Sequence, residues 1–217
     1  MLAPHPDDES LGCGGAIAAA SRAGRSVLVV TLTDGRSSHP GSRLFPADRL
    51  IALRRDELAE AVRRLTRGSG RTATLGFPDQ GAPATSAGQA QAAARLLSFI
   101  DRCDISAIWA SWEKDPHPDH RCAAAVACAA ARARRGLTVW QYPIWGRFIE
   151  AALERGATLR VFDTVPFQEE KAAAIAAHRS QMTNLIPDAP GGFVMDERTR
   201  RHFLDSPELF IANACHV

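Results

Sequence analysis

The chain opens on the stretch Ala3-Pro4-His5-Pro6-Asp7-Asp8-Glu9-Ser10-Leu11-Gly12-Cys13-Gly14-Gly15. Pro6 has a fixed φ and biases His5 towards an extended conformation, which is typical of a strand that ends, turns and enters a helix. His5 and Asp8 are three residues apart and can face a common point, with Asp7 between them. We therefore expect a functional turn between the first strand and the first helix.

Three interpretations of this turn remain open at this point. Imidazole and carboxylate ligands suit Zn²⁺ or a similar divalent ion, and a spare carboxylate beside them suits a general base. Gly12, Gly14 and Gly15 could form a phosphate-binding turn, although they do not fit G-x-G-x-x-G and the acidic residues before them would repel phosphate. Alternatively, the aspartates cap a helix and the glycines allow close packing.

The composition is that of an ordinary globular protein. The 217 residues are 46% hydrophobic and 23% charged, and we predict a single domain over residues 1–217. A formal net charge of +2 does not indicate nucleic acid or an acidic membrane surface as a partner. No apolar run approaches the ~20 residues that span a bilayer. We also expect no signal peptide, because the functional turn begins within five residues of Met1.

The cysteines indicate a cellular compartment. Their number is odd and no pair has C-x-x-C spacing, so we predict reduced, mostly buried thiols and a cytoplasmic location. The five are Cys13, Cys103, Cys122, Cys128 and Cys215.

Strand and helix patterns alternate along the chain. Only Met1 to Ala3 precede the opening turn, so either the true start lies upstream of Met1 or the first strand is truncated. The repeated β-α-β order predicts an α/β fold in three layers, with a mainly parallel sheet between helices. The predicted strands are 26–33, 72–77, 105–112, 137–143, 158–164 and 208–211. The predicted helices are 11–22, 46–65, 86–102 (capped by Ser86), 123–135 and 167–182.

A second motif, Asp115-Pro116-His117-Pro118-Asp119-His120, follows the strand that ends near Trp112. Its prolines should delay the next helix until Asp119, a good N-cap. Ligands bind beyond the carboxyl ends of parallel strands, so both motifs can reach one crevice. His5, Asp8 and one histidine of this motif would form a His₂Asp site with a position left for water, as in catalytic zinc centres.

These residues suffice for hydrolysis of a carbonyl compound, most simply an amide. Water held by such a metal has a pKa near ~7, so hydroxide is available at neutral pH. Asp7 could take the proton from that water. The histidine that does not hold the metal could stabilise the oxyanion as an imidazolium.

The first motif (3–9), taken with His117-Pro118-Asp119-His120, resembles the PIG-L/LmbE-type N-acetylglucosaminyl deacetylases, which are zinc-dependent hydrolases with a Rossmann-like fold. The resemblance extends over Thr33-Asp34-Gly35, Arg54 with Glu57, 75–79, and Lys171 with 178–181. It implies a role for each matching residue: metal ligands His5, Asp8 and His120; general base Asp7; oxyanion stabiliser His117; substrate contacts Arg54 and Asp79; and Asp119 as the residue that orients a neighbouring histidine.

The expected reaction is removal of an N-acyl group, foremost acetyl, from a small amino-sugar substrate or its conjugate, with Zn²⁺ or another divalent metal as cofactor. The alternatives are an amidase for larger conjugates and a nucleotide-binding module that uses Gly12 to Gly15. Specificity is expected from loop 34–46, from the region 142–145 and from the C-terminal part. Glu57 is expected to hold Arg54, and His39 to be solvated. The rings of Trp112, Trp140 and Trp145 could stack on a sugar or pack in the core.

Overall fold

The computed structural model of the protein describes residues 1–153, 155–212 and 215. The strands are β1 Leu2–Ala3, β2 Leu28–Thr33, β3 Arg71–Phe77, β4 Ala107–Ser111, β5 Thr138–Tyr142, β6 Thr158–Phe162 and β7 Glu208–Ala212. The helices are α1 Asp8–Arg22, α2 Ala47–Thr66, α3 Ser86–Cys103, α4 Pro118–Ala133, α5 Gln168–Ala177, α6 Arg179–Met182 and α7 Glu197–Asp205.

The described strands form one seven-stranded sheet in the order β3-β2-β1-β4-β5-β7-β6. The pairings from β3 to β5 are parallel, and β7 is antiparallel to both of its neighbours, β5 and β6. The chain proceeds from β1 outward through β2 to β3, and then crosses back to place β4 on the other side of β1. The sheet therefore has a switch point between β1 and β4, where a crevice opens beyond the carboxyl ends of the strands.

Two apolar cores cover the two faces of the sheet. One contains Leu11 and Ile17 of α1, Leu58 and Val62 of α2, and Ile175 of α5. The other contains residues of α3 and α4, such as Leu96, Ile100, Val126 and Ala127. These layers confirm the predicted three-layer α/β fold, and the sheet is mainly parallel as expected.

The glycines of the opening stretch lie inside α1, where they allow close packing. A Cβ atom at Gly12 would lie 2.4 Å from Cδ2 of Tyr142, and one at Gly15 would lie 2.9 Å from Cγ2 of Thr164. Gly15 N and Ala16 N donate hydrogen bonds to the carboxylate of Glu208. The interpretation as a phosphate-binding turn is therefore wrong, because the glycines form no loop and the buried carboxylate of Glu208 takes the N–H groups of Gly15 and Ala16.

Some boundaries differ from the prediction for local reasons. Thr85, and not Ser86, caps α3, because its side chain accepts the N–H of Gly88. The predicted helix 167–182 is broken at His178, whose ψ of 56° interrupts it and separates α5 from α6. Helix α7 was not predicted, since Phe203 and Leu204 are the apolar residues of this short, charged segment.

The structure corrects the prediction for the cysteines. Cys128 and Cys215 form a disulfide across 87 residues, whereas Cys13, Cys103 and Cys122 are free. The disulfide removes the observation on which a cytoplasmic location was based, so that location stays a prediction. Among the described residues, no helix combines the length and the apolar character needed to cross a membrane.

Candidate active site

The two sequence motifs meet at the switch point of the sheet. β1 pairs directly with β4 through Leu2 and Ala110, so the turns that follow the two strands are neighbours in space. The rings of His5 and His117 have centroids 4.8 Å apart, and those of His117 and His120 are 5.1 Å apart. Residues that are far apart in the sequence thus share one site.

The three predicted metal ligands meet around one carboxylate oxygen. Asp8 Oδ2 lies 3.3 Å from His5 Nδ1 and 3.4 Å from His120 Nε2. Burial by itself would raise the pKa of Asp8, but the neighbouring His120 and His5 rings hold that pKa well below its ordinary value. Asp8 is therefore an anionic oxygen donor between two imidazoles.

His120 is buried, and its ring forms no hydrogen bond with any described residue. Its Nε2 faces Asp8 and its Nδ1 lies 3.3 Å from Oδ1 of Asp115. Buried polar atoms without partners are rare and costly in folded proteins. A metal-binding histidine typically directs its other ring nitrogen at a carboxylate, and His120 has this arrangement with Asp115.

Two further carboxylates face the opposite edge of the His5 ring. Its Nε2 lies 3.2 Å from Asp119 Oδ2 and 3.3 Å from Asp79 Oδ1. Asp119 Oδ2 also accepts the N–H of Gln80, and Asp79 Oδ2 accepts the N–H of Ser37. The histidine that the Asp119 carboxylate contacts is therefore His5 of the first motif. Asp79 contacts the same ring.

Close donor atoms define two groups of residues that could hold a cation. One group is His5, His117 and His120, and the other is His5, Asp79 and Asp119, each with its donor atoms within 4.8 Å of one another. The second group lies on the edge of His5 where Nε2 can donate its proton to two carboxylates. Neither group contains Asp8, whose Oδ2 lies 3.3 Å from His5 Nδ1 and 3.4 Å from His120 Nε2.

Asp7 has an unusual backbone conformation, with φ 141° and ψ −30°. Residues other than glycine rarely adopt such a positive φ, and surrounding contacts must stabilise it. Glu9 Oε2 accepts the N–H of Asp7 at 2.9 Å. Burial raises the pKa of Asp7 to about 6, although the Arg54 guanidinium opposes the shift. The carboxyl group of Asp7 is therefore a weaker acid than an ordinary aspartate.

Arg54 is buried on the inner face of α2 and points into the site. Its guanidinium donates to Gly35 O at 2.9 Å, to Pro6 O at 2.7 Å and to Asp7 Oδ2 at 3.2 Å. The expected role of Glu57 is wrong, because its carboxylate instead accepts the N–H and hydroxyl of Ser180. Backbone carbonyls and Asp7 hold Arg54, while Glu57 attaches α2 to α6.

His117, and not Asp119, is the N-cap of α4. Its Nδ1 accepts the N–H of Asp119 at 3.2 Å, while Pro118 occupies the first turn of the helix. Burial lowers the pKa of His117, and the nearby His5 and His120 rings lower it further. The neutral ring is therefore favoured, with Nδ1 as acceptor and the proton on Nε2.

Sequence reasoning assigned no role to three buried residues of the site. Asp115 Oδ2 accepts the N–H groups of Ile144 and Gly146, each at 3.1 Å, in addition to the contact of Oδ1 with His120. Glu9 Oε1 accepts a hydrogen bond from His178 Nε2 at 2.7 Å. Glu9 lies in the first motif and Asp115 in the second, so the sequence shows that carboxylates are present there. Their partners, which include His178, come from distant parts of the chain.

A cavity of about 380 Å³ opens above these groups. Loop 34–46, the region 142–145 and the C-terminal part all contribute to its wall, as expected for specificity. The described lining residues are His5, Asp7, Asp8, Leu11, Ser37, Ser38, Pro40, Arg54, Asp79, Gln80, His117, His120, Trp145, Gln181, Gly191, Phe193 and Met195.

The structure shows where the His39 ring and the tryptophan rings lie. His39 is not solvated but buried, and a Cβ atom at Gly192 would lie 2.3 Å from its Cδ2. It therefore packs loop 34–46 against the C-terminal part. Trp145 lines the cavity, whereas Trp112 is buried beneath Gly146 and Trp140 lines a separate groove beside β6.

The chain is similar to known deacetylases. Residues 1–131 match the family PIG-L, described as GlcNAc-PI de-N-acetylase. A relative from Saccharomonospora viridis, 1D-myo-inositol 2-acetamido-2-deoxy-alpha-D-glucopyranoside deacetylase, is 30% identical over 230 residues, which cover 82% of this chain and 83% of the relative.

Two solved structures are similar over nearly the whole fold. N,N'-diacetylchitobiose deacetylase from Pyrococcus horikoshii has a TM-score of 0.72 at 23% identity, covering 97% of this chain and 81% of its own. The conserved protein TT1542 from Thermus thermophilus has a TM-score of 0.68 at 27% identity, covering 100% of this chain and 94% of its own. Since the family match spans more than half of the sequence and includes both motifs, the chain belongs to the PIG-L family.

Proposed function

We propose that residues 1–217 form one domain that acts as a zinc-dependent N-deacetylase. It hydrolyses the acetamide of an amino sugar, or of an amino-sugar conjugate, to acetate and a free amine. The observation that carries this proposal is the convergence of His5, Asp8 and His120 in the cavity that also contains Asp7. The deacetylase relatives support the same reaction.

The distances from Asp8 to the two histidines support zinc as the metal. Two ligands of a tetrahedral zinc ion lie about 3.3–3.4 Å apart, given metal–ligand distances of about 2.0–2.1 Å. The distances from Asp8 Oδ2 to His5 Nδ1 and His120 Nε2 are 3.3 and 3.4 Å. Another divalent ion that accepts nitrogen and oxygen ligands would suit the same donors. When bound, the ion supplies Lewis acidity to the amide carbonyl and to water.

Asp7 is the general base and then the general acid. With its pKa raised to about 6, its carboxylate can take a proton from the attacking water at neutral pH. The same proton passes to the amide nitrogen as the C–N bond breaks, so the amine leaves neutral and the acyl group leaves as acetic acid, which then loses its remaining proton to solvent and becomes acetate. Arg54 holds Oδ2 of Asp7 and orients the carboxylate.

His117 stabilises the negative charge that develops on the carbonyl oxygen. Its Nδ1 is occupied by the N–H of Asp119, so the neutral ring presents Nε2–H to the cavity. A preorganised donor of this kind commonly accounts for a factor of about 10²–10³ in kcat. The lowered pKa of His117 favours this neutral donor over an imidazolium.

Arg54 and Asp79 are the proposed polar contacts for the sugar. Both line the cavity, and Arg54 Nε forms no hydrogen bond with any described residue. Ser37 and Gln80 lie on the same polar side. These groups suit hydroxyl and acetamide groups of the substrate, which both donate and accept hydrogen bonds.

An acetate-release screen over N-acetylated amino sugars and their glycosides tests the proposal. Zinc-loaded protein should release acetate and amine in equal amounts, and a chelator should stop the release until zinc is restored. The matched control is Asp7→Asn, which should retain zinc but lose turnover. Release of a larger acid would identify an amidase for bigger conjugates. Turnover that resists chelation and survives Asp7→Asn would contradict the proposal.

A further inference from the structure

Three aromatic residues form a continuous surface from the cavity to its outer edge. Trp145 and Phe193 line the cavity, with ring centroids 6.1 Å apart and planes at 85°. The Phe148 ring lies 6.3 Å from that of Trp145, beyond the described residues that line the cavity. Phe148 is 48% exposed and Phe193 is 37% exposed. We call these three residues the aromatic mouth.

The aromatic mouth is held in place by hydrogen bonds from the site itself. Asp115, which contacts His120, also accepts the N–H groups of Ile144 and Gly146 on either side of Trp145. On the facing side, Phe193 N donates to Ser38 O at 2.7 Å. The Phe148 ring rests against Phe203, with centroids 5.8 Å apart. Binding to such a preorganised surface has a small ordering cost.

The cavity therefore has two unlike walls. The polar wall contains Ser37, Arg54 and Asp79, which suit a sugar and its acetamide. The aromatic wall offers ring faces and edges, and Ile149 and Val194, the residues that follow Phe148 and Phe193 in the sequence, are also exposed. A contiguous exposed apolar patch at the edge of a cavity commonly marks a ligand-binding surface.

The extent of the aromatic mouth indicates what it binds. A sugar whose acetamide lies beside Asp7 and His120 can reach Trp145 inside the cavity. Phe148 lies outside, so only a substituent that projects from the cavity can contact it. Because Phe148 and Phe193 are apolar, a polar substituent would lose hydration there without gaining hydrogen bonds.

We propose that the aromatic mouth is a subsite for an apolar aglycone, aryl or alkyl, carried by the N-acetylated amino sugar. This inference rests on the proposed deacetylase function and specifies its substrate class. The reacting atoms are unchanged: water cleaves the acetamide, and the aglycone remains bonded to the sugar.

The test compares N-acetylglucosamine with its phenyl and hexyl glycosides, both anomers of each, by acetate release from the zinc-loaded protein. We expect kcat/KM to be at least tenfold higher for a phenyl or hexyl glycoside than for the free sugar, mainly through a lower KM. Phe148→Ala should reduce that ratio towards one, and Phe148→Leu should restore most of it, because leucine retains apolar area. Val161→Ala is the matched control, since Val161 is 63% exposed on β6, and it should leave the ratio unchanged.

Each outcome decides the inference. Equal kcat/KM for free sugar and glycosides, or a preference that Phe148→Ala leaves intact, would overturn it while the deacetylase function stands. If no compound releases acetate, the deacetylase function fails. Calorimetric titration of the same glycosides then decides the subsite: binding that weakens at least fivefold in Phe148→Ala supports it, and binding that does not weaken overturns it.

Discussion

The two turns that build the site look alike in sequence but are stabilised differently. The turn after β4 has ordinary backbone angles at His117, with φ −75° and ψ 130°, and this residue caps the helix that follows. The turn after β1 places Asp7 at φ 141°, and its side chain caps nothing. The second turn is therefore satisfied locally, whereas the first also depends on groups from elsewhere in the fold.

Those groups form a buried network beneath Asp7. Glu9 accepts the N–H of Asp7 and a hydrogen bond from His178, which stands at the break between α5 and α6. Arg54 binds Pro6 O and Asp7 Oδ2 from the other side. A strained residue supported in this way keeps one position, as a proton-transferring group requires.

The largest expected effect comes from breaking the metal site of the second turn. His120→Ala should lose zinc and reduce turnover to background, because it removes one of the three proposed protein ligands. His117→Ala, from the same turn, should retain zinc and lose about 10²–10³ in kcat through the missing oxyanion donor. Elemental analysis and acetate release measure both variants. If His117→Ala loses the metal and His120→Ala does not, the third ligand is His117.

The next effect comes from the acid of the first turn. Asp7→Asn should decrease kcat by about 10²–10⁴, the usual range for a positioned general acid–base group, with zinc retained. The asparagine side chain cannot take the proton from water, yet its oxygen can still accept a hydrogen bond from Arg54. Steady-state kinetics and metal analysis on one preparation provide the test, and wild-type kcat in this variant would rule Asp7 out as the base.

A smaller effect should follow from loosening the support of Asp7. Glu9→Ala removes the acceptor of the Asp7 N–H, and a misplaced catalytic group costs up to about 10² in kcat. Glu9→Gln retains an oxygen at that point and should recover much of the rate. KM and zinc content should change little in either variant. A crystal structure of Glu9→Ala in which Asp7 keeps its positive φ would show that Glu9 does not hold it.

The smallest expected effect concerns the carboxylate behind His120. Asp115→Asn should weaken zinc binding by about 10–100-fold, the usual loss when the partner of a metal-binding histidine is changed. Competition with a chromogenic chelator measures the affinity, and kcat at saturating zinc should change less. Asp56→Asn, an exposed carboxylate on α2, is the control. If the zinc affinity of Asp115→Asn is unchanged, Asp115 does not support the metal site. Its role is then to fix Trp145 through the N–H groups of Ile144 and Gly146.

The sequence was sufficient to predict the α/β class and the order of most elements, because each depends on local patterns, while the metal ligands stay a prediction. The run 28–33 is buried throughout as its β-branched residues indicate, and His5, Asp7 and Asp8 stand within one turn. Caps were less predictable: Thr85 and His117 replaced the expected Ser86 and Asp119. Such choices differ by one or two residues and by small energies.

Only the tertiary structure decided the pairings between distant residues. Sequence patterns place His5 and His120 at strand ends, but only the adjacency of β1 and β4 brings them together around Asp8. The partners of Glu9, Asp115 and Glu57, the disulfide and the burial of His39 depend likewise on long-range packing. The strained φ of Asp7 has the same origin in part: Glu9 of the opening stretch accepts the Asp7 N–H, but Arg54 of α2 and His178 at the α5–α6 break hold these two acids.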